Sequence, residues 1–251
     1  MTRKLDCPPG RNNLLFTLPE ADRALVEPHL KTVKLDKGMA LERAGQPIER
    51  AYFPRSGVGS TVVQGGNGRQ IEVGLFGCDG MSGIASILQS RYAINDTFIQ
   101  IEGDGLAIDA DRLADLLGQS ASLRRHLSRY VLAMMAQMAQ TALSNAHSKL
   151  EERLAGWLLM CHDRSGNDNL ALTHEFVALM LGVRRAGVTV GTHVLEGEGL
   201  IEAKRGRITI LDRAGLEKRA RDTYGAAEAE YARLIGFRGA RQRAALAKTD
   251  P

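Results

Sequence analysis

The chain offers little for metal or disulfide chemistry. Cysteine occurs three times in 251 residues, as Cys7, Cys78 and Cys161. The three are far apart, odd in number and without a CxxC pair, so neither a zinc site nor a disulfide framework is expected. The six histidines are scattered and lack metal-ligand spacing such as HxxxH, so no metal site is expected either. No apolar run reaches the roughly eighteen residues a membrane-spanning helix needs. The N-terminal stretch MTRKLDCPPGRNN has no apolar signal core, and a reduced, cytoplasmic setting is the expectation. Charge of either sign is not in large excess: 33 basic against 29 acidic residues leave +4, which mildly favours an anionic partner. What is present, 44% apolar and 25% charged residues, is the composition of a folded globular chain of one or two domains.

Residues 1–13 read as a flexible lead, with Pro8-Pro9-Gly10. A helix is expected over Glu20–Leu30 behind Pro19. From Thr32 the period shortens. Apolar or alternating runs at Ala51–Phe53, Val58–Val63, Ile71–Leu75, Phe98–Ile101 and Leu106–Ile108 are separated by Gly, Pro or Asn. Short strands at such spacing predict a small antiparallel barrel or jelly roll. No strand–helix alternation marks a parallel α/β sheet. Within the barrel, Gly74, Gly77, Gly80 and Gly83 punctuate one loop. Its residues Gly77, Asp79, Gly80, Met81, Ser82 and Gly83 form an effector-loop candidate, because converging backbone amides cradle anions. The alternative is a tight turn before a one-turn helix, Ile84–Leu88. Cys78 in this loop is either a redox-sensing thiol or an inert one. Residues 32–110 hold no His, Glu and Asp cluster of the kind a cupin-like enzyme needs, and no enzymatic activity is expected.

A short helix is expected over Asp109–Leu117 and a long one from Ser120 or Ser122. Leu123, Leu127, Val131, Met134 and Met138 repeat at steps of four, four, three and four, close to a heptad seam. Leu127, Val131, Met134 and Met138 are therefore the predicted dimer interface, with methionines suited to an adaptable contact. A hinge is placed near Ser144–Ser148. Lys149–Asp163 (KLEERLAGWLLMCHD) follows as an amphipathic helix.

The stretch Leu172–Ile210 has helix-turn-helix spacing. Thr173 caps a first helix carrying Phe176, Val177 and Met180. Gly182 allows the turn, and a second helix from Arg184 turns Val188, Gly191 and Leu195 inward. Two short strands, near Ile201–Ala203 and Arg207–Leu211, form a wing around Lys204, Arg205 and Gly206. The second helix of such a unit enters the DNA major groove. Its outward face assigns base contacts to Arg185, Thr189, Val190 and His193. Arg185 suits guanine O6 and N7, and Val190 a thymine methyl. Thr173, Arg184, Lys204 and Arg205 are assigned to phosphates. Leu216, Ala220, Tyr224, Ala227, Tyr231 and Leu234 keep helical spacing, which predicts a helix packed back on the wing domain. The basic end after Gly236 is expected to be disordered and to add nonspecific DNA affinity.

A β-barrel, a long helix and a winged helix in that order, with RLAGWLL at Arg153–Leu159, LTHEFVALMLGVRRAGVT at Leu172–Thr189, LEGEGLI at Leu195–Ile201 and LDRAGLEKRA at Leu211–Ala220, resemble the Crp/Fnr superfamily of bacterial transcription regulators. The resemblance implies an α+β protein: an antiparallel β jelly roll like a cyclic-nucleotide-binding domain over 13–118, a dimerisation helix and hinge over 119–147, a winged helix-turn-helix over 148–235, and a basic tail over 236–251. It implies a homodimer on palindromic double-stranded DNA, with RNA polymerase as a further partner if the output is activation, and no membrane. Two departures qualify it. Cyclic-AMP-binding members carry Gly-Glu in the barrel loop and Arg-Ser or Arg-Thr about ten residues on. Here the loop reads Asp79-Gly80-Met81-Ser82-Gly83, and the later site falls at Asn95, Asp96 and Thr97 with no arginine. Cyclic AMP is thus not an expected ligand, and Asn95 and Thr97 join the effector-loop candidates without a named effector. Oxygen-sensing members use an N-terminal cysteine cluster, whereas Cys7 stands alone, so no iron–sulfur cofactor is expected. On the recognition helix Ala186 and Val190 stand where members often carry Glu and a second Arg. A competing reading keeps the sensor but has the winged domain contact another protein instead of DNA.

Overall fold

The computed structural model describes residue 7, residues 10–66 and residues 68–236. The lead before Arg11 and the basic end after Gly236 lie largely or wholly outside the described residues. Two short helices, α1 (Asn13–Phe16) and α2 (Glu20–Val26), precede the barrel. The helix expected to Leu30 ends earlier: Glu27–His29 tighten into one 3₁₀ turn with Pro28 inside it, because proline withholds an amide from the ladder.

The barrel consists of β1 (Lys31–Leu35), β2 (Ala40–Glu42), β3 (Arg50–Pro54), β4 (Val58–Gln64), β5 (Gln70–Phe76), β6 (Asp96–Ile101) and β7 (Gly103–Asp109), with the one-turn helix α3 (Ile84–Ile87) before β6. They form two antiparallel sheets, β1-β7-β3 and β2-β6-β4-β5, the jelly-roll-like arrangement expected. Leu35, Tyr52, Ile99 and Ala107 fill the space between them.

Then come α4 (Ala110–Gln119), α5 (Ala121–His147) and α6 (Leu150–Ser165). Ser120 caps α5 by accepting from the Leu123 amide at 3.2 Å. The predicted hinge is narrower than expected: α5 stays helical through His147, and the chain turns extended at Ser148 (φ −92°, ψ 148°). The winged unit follows: β8 (Asn169–Leu170), α7 (His174–Leu181), α8 (Arg185–Gly197), β9 (Ile201–Lys204) and β10 (Arg207–Ile210), with sheet order β8-β10-β9. β8 pairs antiparallel with β10, Leu170 opposite Ile208. The C-terminal segment is α9 (Arg213–Ala220), a 3₁₀ turn and α10 (Ala226–Ile235). The single tail helix on the wing domain is therefore corrected to two helices. The second packs on α5, its Tyr231 and Ile235 joining the Leu127, Val131 and Met134 core.

This changes the dimer assignment. Leu127, Val131 and Met134 are 1%, 8% and 4% exposed within one chain. Met138 is half-buried against the same core. These side chains face their own barrel and α10, because a helix lying on a barrel must bury its most apolar stripe there. The apolar residues left outside are Leu132, Met135 and Leu143, exposed by 52%, 59% and 52%.

One core joins barrel and winged unit. Val58, Val62 and Leu75 of the four-stranded sheet pack with Leu154, Trp157, Leu158 and Cys161 of α6. Phe98 of β6 meets Phe176 of α7 edge to face, centroids 6.4 Å apart. Inside this interface runs a polar chain. Trp157 Nε1 donates to Glu72 Oε1 at 2.7 Å, Glu72 Oε2 lies 2.6 Å from Ser60 Oγ, Ser60 Oγ lies 2.5 Å from Gln100 Oε1, and Gln100 Nε2 donates to Cys161 Sγ at 3.1 Å. Burial pushes the Glu72 carboxyl up to about 8, against the hydrogen bonds from Ser60 and Trp157. At neutral pH it is therefore the protonated acid.

A folded-state pKa raised above the unfolded value means that the native state holds a proton the unfolded chain gives up. The associated stability, on the order of a few kcal/mol, is complete below about pH 4.5 and is lost as pH rises through about 8. Thermal melts from pH 5 to pH 9 should show Tm falling with pH. Glu72→Gln, which keeps a donor and an acceptor without a titrating proton, should flatten that decline. An equal slope in both proteins would remove Glu72 from the account.

Candidate nucleic-acid interface and effector loop

Thr173 ends an extended segment and accepts from the Phe176 amide at 3.2 Å, starting α7. Gly182 closes α7 in the left-handed conformation (φ 63°). The turn therefore requires glycine, and a Cβ there would also displace the Ile71 side chain of β5, whose Cδ1 would lie 2.8 Å away. α8 follows with Val188, Gly191, Thr192 and Leu195 buried. Gly191 faces Leu154 and Leu150 of α6, and Gly187 also lies against Leu150. Both glycines thus face α6 rather than α7, with room for a Cβ at Gly191 and a tighter fit against the Leu150 side chain at Gly187. The Arg153 guanidinium bonds the Leu181 carbonyl at the end of α7, which gives the RLAGWLL segment a structural task. Glu196 of α8 accepts from the Ala203 amide at 2.7 Å and fixes the wing to the helix.

Positions 185, 186, 190 and 193 are exposed along the outer side of α8, and Val190 is 64% exposed. Arg185 Nε stands 3.9 Å from Glu175 Oε2, both largely in solvent, a pair too loose to hold the guanidinium away from another ligand. Thr189 is less available than the sequence suggests. It is half-buried, its hydroxyl donates to the Arg185 carbonyl at 3.2 Å, and it sits 3.1 Å from His174 Nδ1. His174, missed by sequence reasoning, braces the helix. Its pKa is lowered by desolvation and by neighbouring Arg185 and His193, which favours the neutral ring.

Around this helix, Thr173, Arg184, Lys204 and Arg205 are exposed. Lys204 Nζ pairs with Glu202 at 2.9 Å. Arg184 and Arg205 have no carboxylate within 4.0 Å among the described residues. Arg207, also exposed at the wing, extends the cationic edge.

The effector-loop candidates occupy a different environment. Residues 77–83 are buried throughout. Five of the seven amides are already paired: Gly77 with Asp79 Oδ1 (2.8 Å), Gly80 with the Gly77 carbonyl (3.0 Å), Met81 with Tyr130 Oη (3.1 Å), Ser82 with the Tyr52 carbonyl (2.9 Å) and Gly83 with Glu42 Oε1 (2.8 Å). A Cβ on Gly80 would overlap the Tyr130 hydroxyl. Against the anion-cradle reading, most of the loop's amides donate to their own chain. Glu42, unmarked in the sequence, bridges Gly83 to Thr97, and burial raises its pKa. Asn95 is half-buried, and neighbouring Asp96 accepts from the Ala44 amide at 2.9 Å. A cyclic phosphate placed here would meet Glu42 and Asp96 with no arginine, so the residues do not fit one.

The loop instead serves the domain junction. Asp79 Oδ2 and Arg164 Nη2 form an ion pair of 2.8 Å with side chains 4% and 2% exposed. Tyr231 Oη of α10 donates to the Asp79 carbonyl at 2.6 Å. Asn12 Nδ2 reaches the carbonyls of Pro54 and Gly80, each at 2.8 Å. Contrary to the expectation of three isolated cysteines, Cys7 and Cys78 are joined, with Cα atoms 5.8 Å apart. They are distant in sequence, but α1 returns the N-terminal segment to the loop. Cys161 is free and buried.

The family model of the Crp-like helix-turn-helix domain matches residues 152–219. No curated protein matches the chain. Many solved structures share its fold. A protein from Eubacterium rectale assigned to the Crp/Fnr family of transcriptional regulators is 24% identical, with a TM-score of 0.64, over 83% of this chain and 97% of that one. FixK2 from Bradyrhizobium japonicum is 16% identical, with a TM-score of 0.65, over 75% and 96%. The regulator CLP from Xanthomonas campestris, described as responsive to c-di-GMP, is 16% identical, with a TM-score of 0.60, over 76% and 99%. Residues 152–219 of this chain thus match the Crp-like helix-turn-helix domain, and the described chain as a whole has the fold of the Crp/Fnr regulators.

Proposed function

We propose that this protein is a sequence-specific DNA-binding transcription regulator that acts as a homodimer on palindromic DNA. The observation that carries the reading is the outer face of α8. Arg185, Val190 and His193 project from a helix whose inner face is fixed to α6 and α7, with uncompensated cations beside it. In the major groove, the Arg185 fork donates to O6 and N7 of one guanine, Val190 lies against a thymine methyl, and His193 reaches a base edge. Thr189, bonded to His174 and the Arg185 carbonyl, sets the helix in place and is a poorer base reader. Thr173, Arg184, Lys204 and Arg205 hold phosphates and fix the register.

The dimer is proposed along the outer stripe of α5. Leu132, Met135, Ala139, Ala142 and Ala146 are all exposed and repeat at steps of three and four, the spacing of a two-helix seam. The small alanines let a second helix approach closely. A single winged helix reads only a half-site, and two-fold symmetry supplies the second.

DNA selected from a random library, followed by quantitative binding, tests the reading. Arg185→Ala should weaken the selected site about 10- to 100-fold, equivalent to about 1–3 kcal/mol, and relax one base position. Lys204→Ala with Arg205→Ala should weaken all sequences alike and lower the salt slope by about 1 per lost phosphate contact. Selection that enriches no motif, or an unaltered site for Arg185→Ala, would discard the reading head. For the dimer, Leu132→Glu with Met135→Glu should convert the protein to folded monomers in light scattering. An unchanged mass would move the interface elsewhere.

A further inference from the structure

The Cys7–Cys78 contact lies where a covalent change would reach both halves of the molecule. Cys78 is completely buried and Cys7 half-buried. Their Cα separation of 5.8 Å falls in the range that allows a disulfide without moving the backbone. The Cys78 carbonyl accepts from the Asn13 amide at 2.6 Å, so the segment carrying Cys7 is already held against the loop on its α1 side. The next residue along the loop is Asp79, which holds Arg164 of α6 through its carboxylate and Tyr231 of α10 through its carbonyl. Cys161, by contrast, is buried with Gln100 as its contact and faces neither.

We propose that Cys7 and Cys78 are a redox-modification site: a dithiol that a hydroperoxide oxidises to the disulfide, fastening the N-terminal segment to the loop that carries the winged domain. The exposure difference orders the chemistry. The Cys7 thiolate attacks the peroxide and becomes a sulfenic acid, releasing one water from hydrogen peroxide. The Cys78 sulfur then attacks the Cys7 sulfur, the S–O bond breaks and a second water leaves. Two thiols and one peroxide thus give one disulfide and two waters. A thiol reductant reverses the bond through a mixed disulfide at Cys7, the less buried of the two residues. The bond closes a loop over a sequence separation of 71 residues, long enough to restrict the unfolded chain substantially. This goes beyond DNA recognition and does not depend on it.

The full-length protein is reduced, freed of reductant and titrated with hydrogen peroxide. Alkylation and peptide mapping follow the pair, and thermal melts follow stability. A linked Cys7–Cys78 peptide should appear with loss of two alkylatable thiols. Tm should rise by roughly 5–10 °C over the reduced form, and dithiothreitol should reverse both changes. Cys7→Ser, a change at a half-exposed position, should melt like the reduced wild type and ignore peroxide. Thiols 7 and 78 that stay alkylatable under excess peroxide would overturn the proposal. So would Cys7 linked to a second copy rather than to Cys78, or a Cys7→Ser variant whose Tm still rises with peroxide.

Discussion

The arrangement of this molecule depends on one buried ion pair. Asp79, at the centre of the barrel's glycine loop, faces Arg164 at the end of α6, and both are withdrawn from water. A carboxylate or guanidinium left alone there would carry a desolvation penalty of about 3–5 kcal/mol, so each residue requires the other. The Arg164 pKa is raised, with Asp79, Glu228 and Asp163 favouring its charge over the opposing desolvation. Because the partners come from opposite units, the pair fixes which surface of α6 meets the barrel. Tyr231 adds α10 to the same point, and Asn12 adds the N-terminal segment. Three pieces of chain, remote in sequence, converge on a loop that glycine allows to run beneath Tyr130.

That convergence explains why the loop does not work as an open anion site. Five of its amides are already donors within the chain, and the side chain that bridges it to β6, Glu42 of β2, is a carboxylate. The same fold can therefore present a recognition helix with a barrel whose inner end serves as a junction. The Glu72 chain of hydrogen bonds is the second fastening across this junction. It differs in kind, being held by a proton rather than by a charge pair, so the two fastenings respond to different conditions.

Much of this was legible in the sequence, and the reasons are local. Strands at Ala51–Phe53, Val58–Val63 and Ile71–Leu75, the Thr173 cap, the Gly182 turn and the inward set Val188, Gly191 and Leu195 follow from period, capping and backbone freedom over a few residues. The failures are long-range. The stripe of Leu127, Val131 and Met134 has the right spacing for a seam, but spacing cannot say whether a barrel or a second chain fills it; the barrel and α10 do. Cys7 and Cys78 look isolated because their nearness depends on where α1 docks. Glu42, His174 and the Asp79–Arg164 pair carry no local signal, since each acquires its role from a residue on another element. Thr189 has an outward position in the helical repeat, yet a neighbouring imidazole captures it.

The functional core of the account is a pair of α8 helices set by two-fold symmetry into successive major grooves. Hydroxyl-radical footprinting on selected DNA measures that spacing directly. The account expects two protected half-sites related by a dyad, with centres about 34 Å or a multiple of it apart. A single protected half-site, or two at a spacing off the helical repeat, would contradict it.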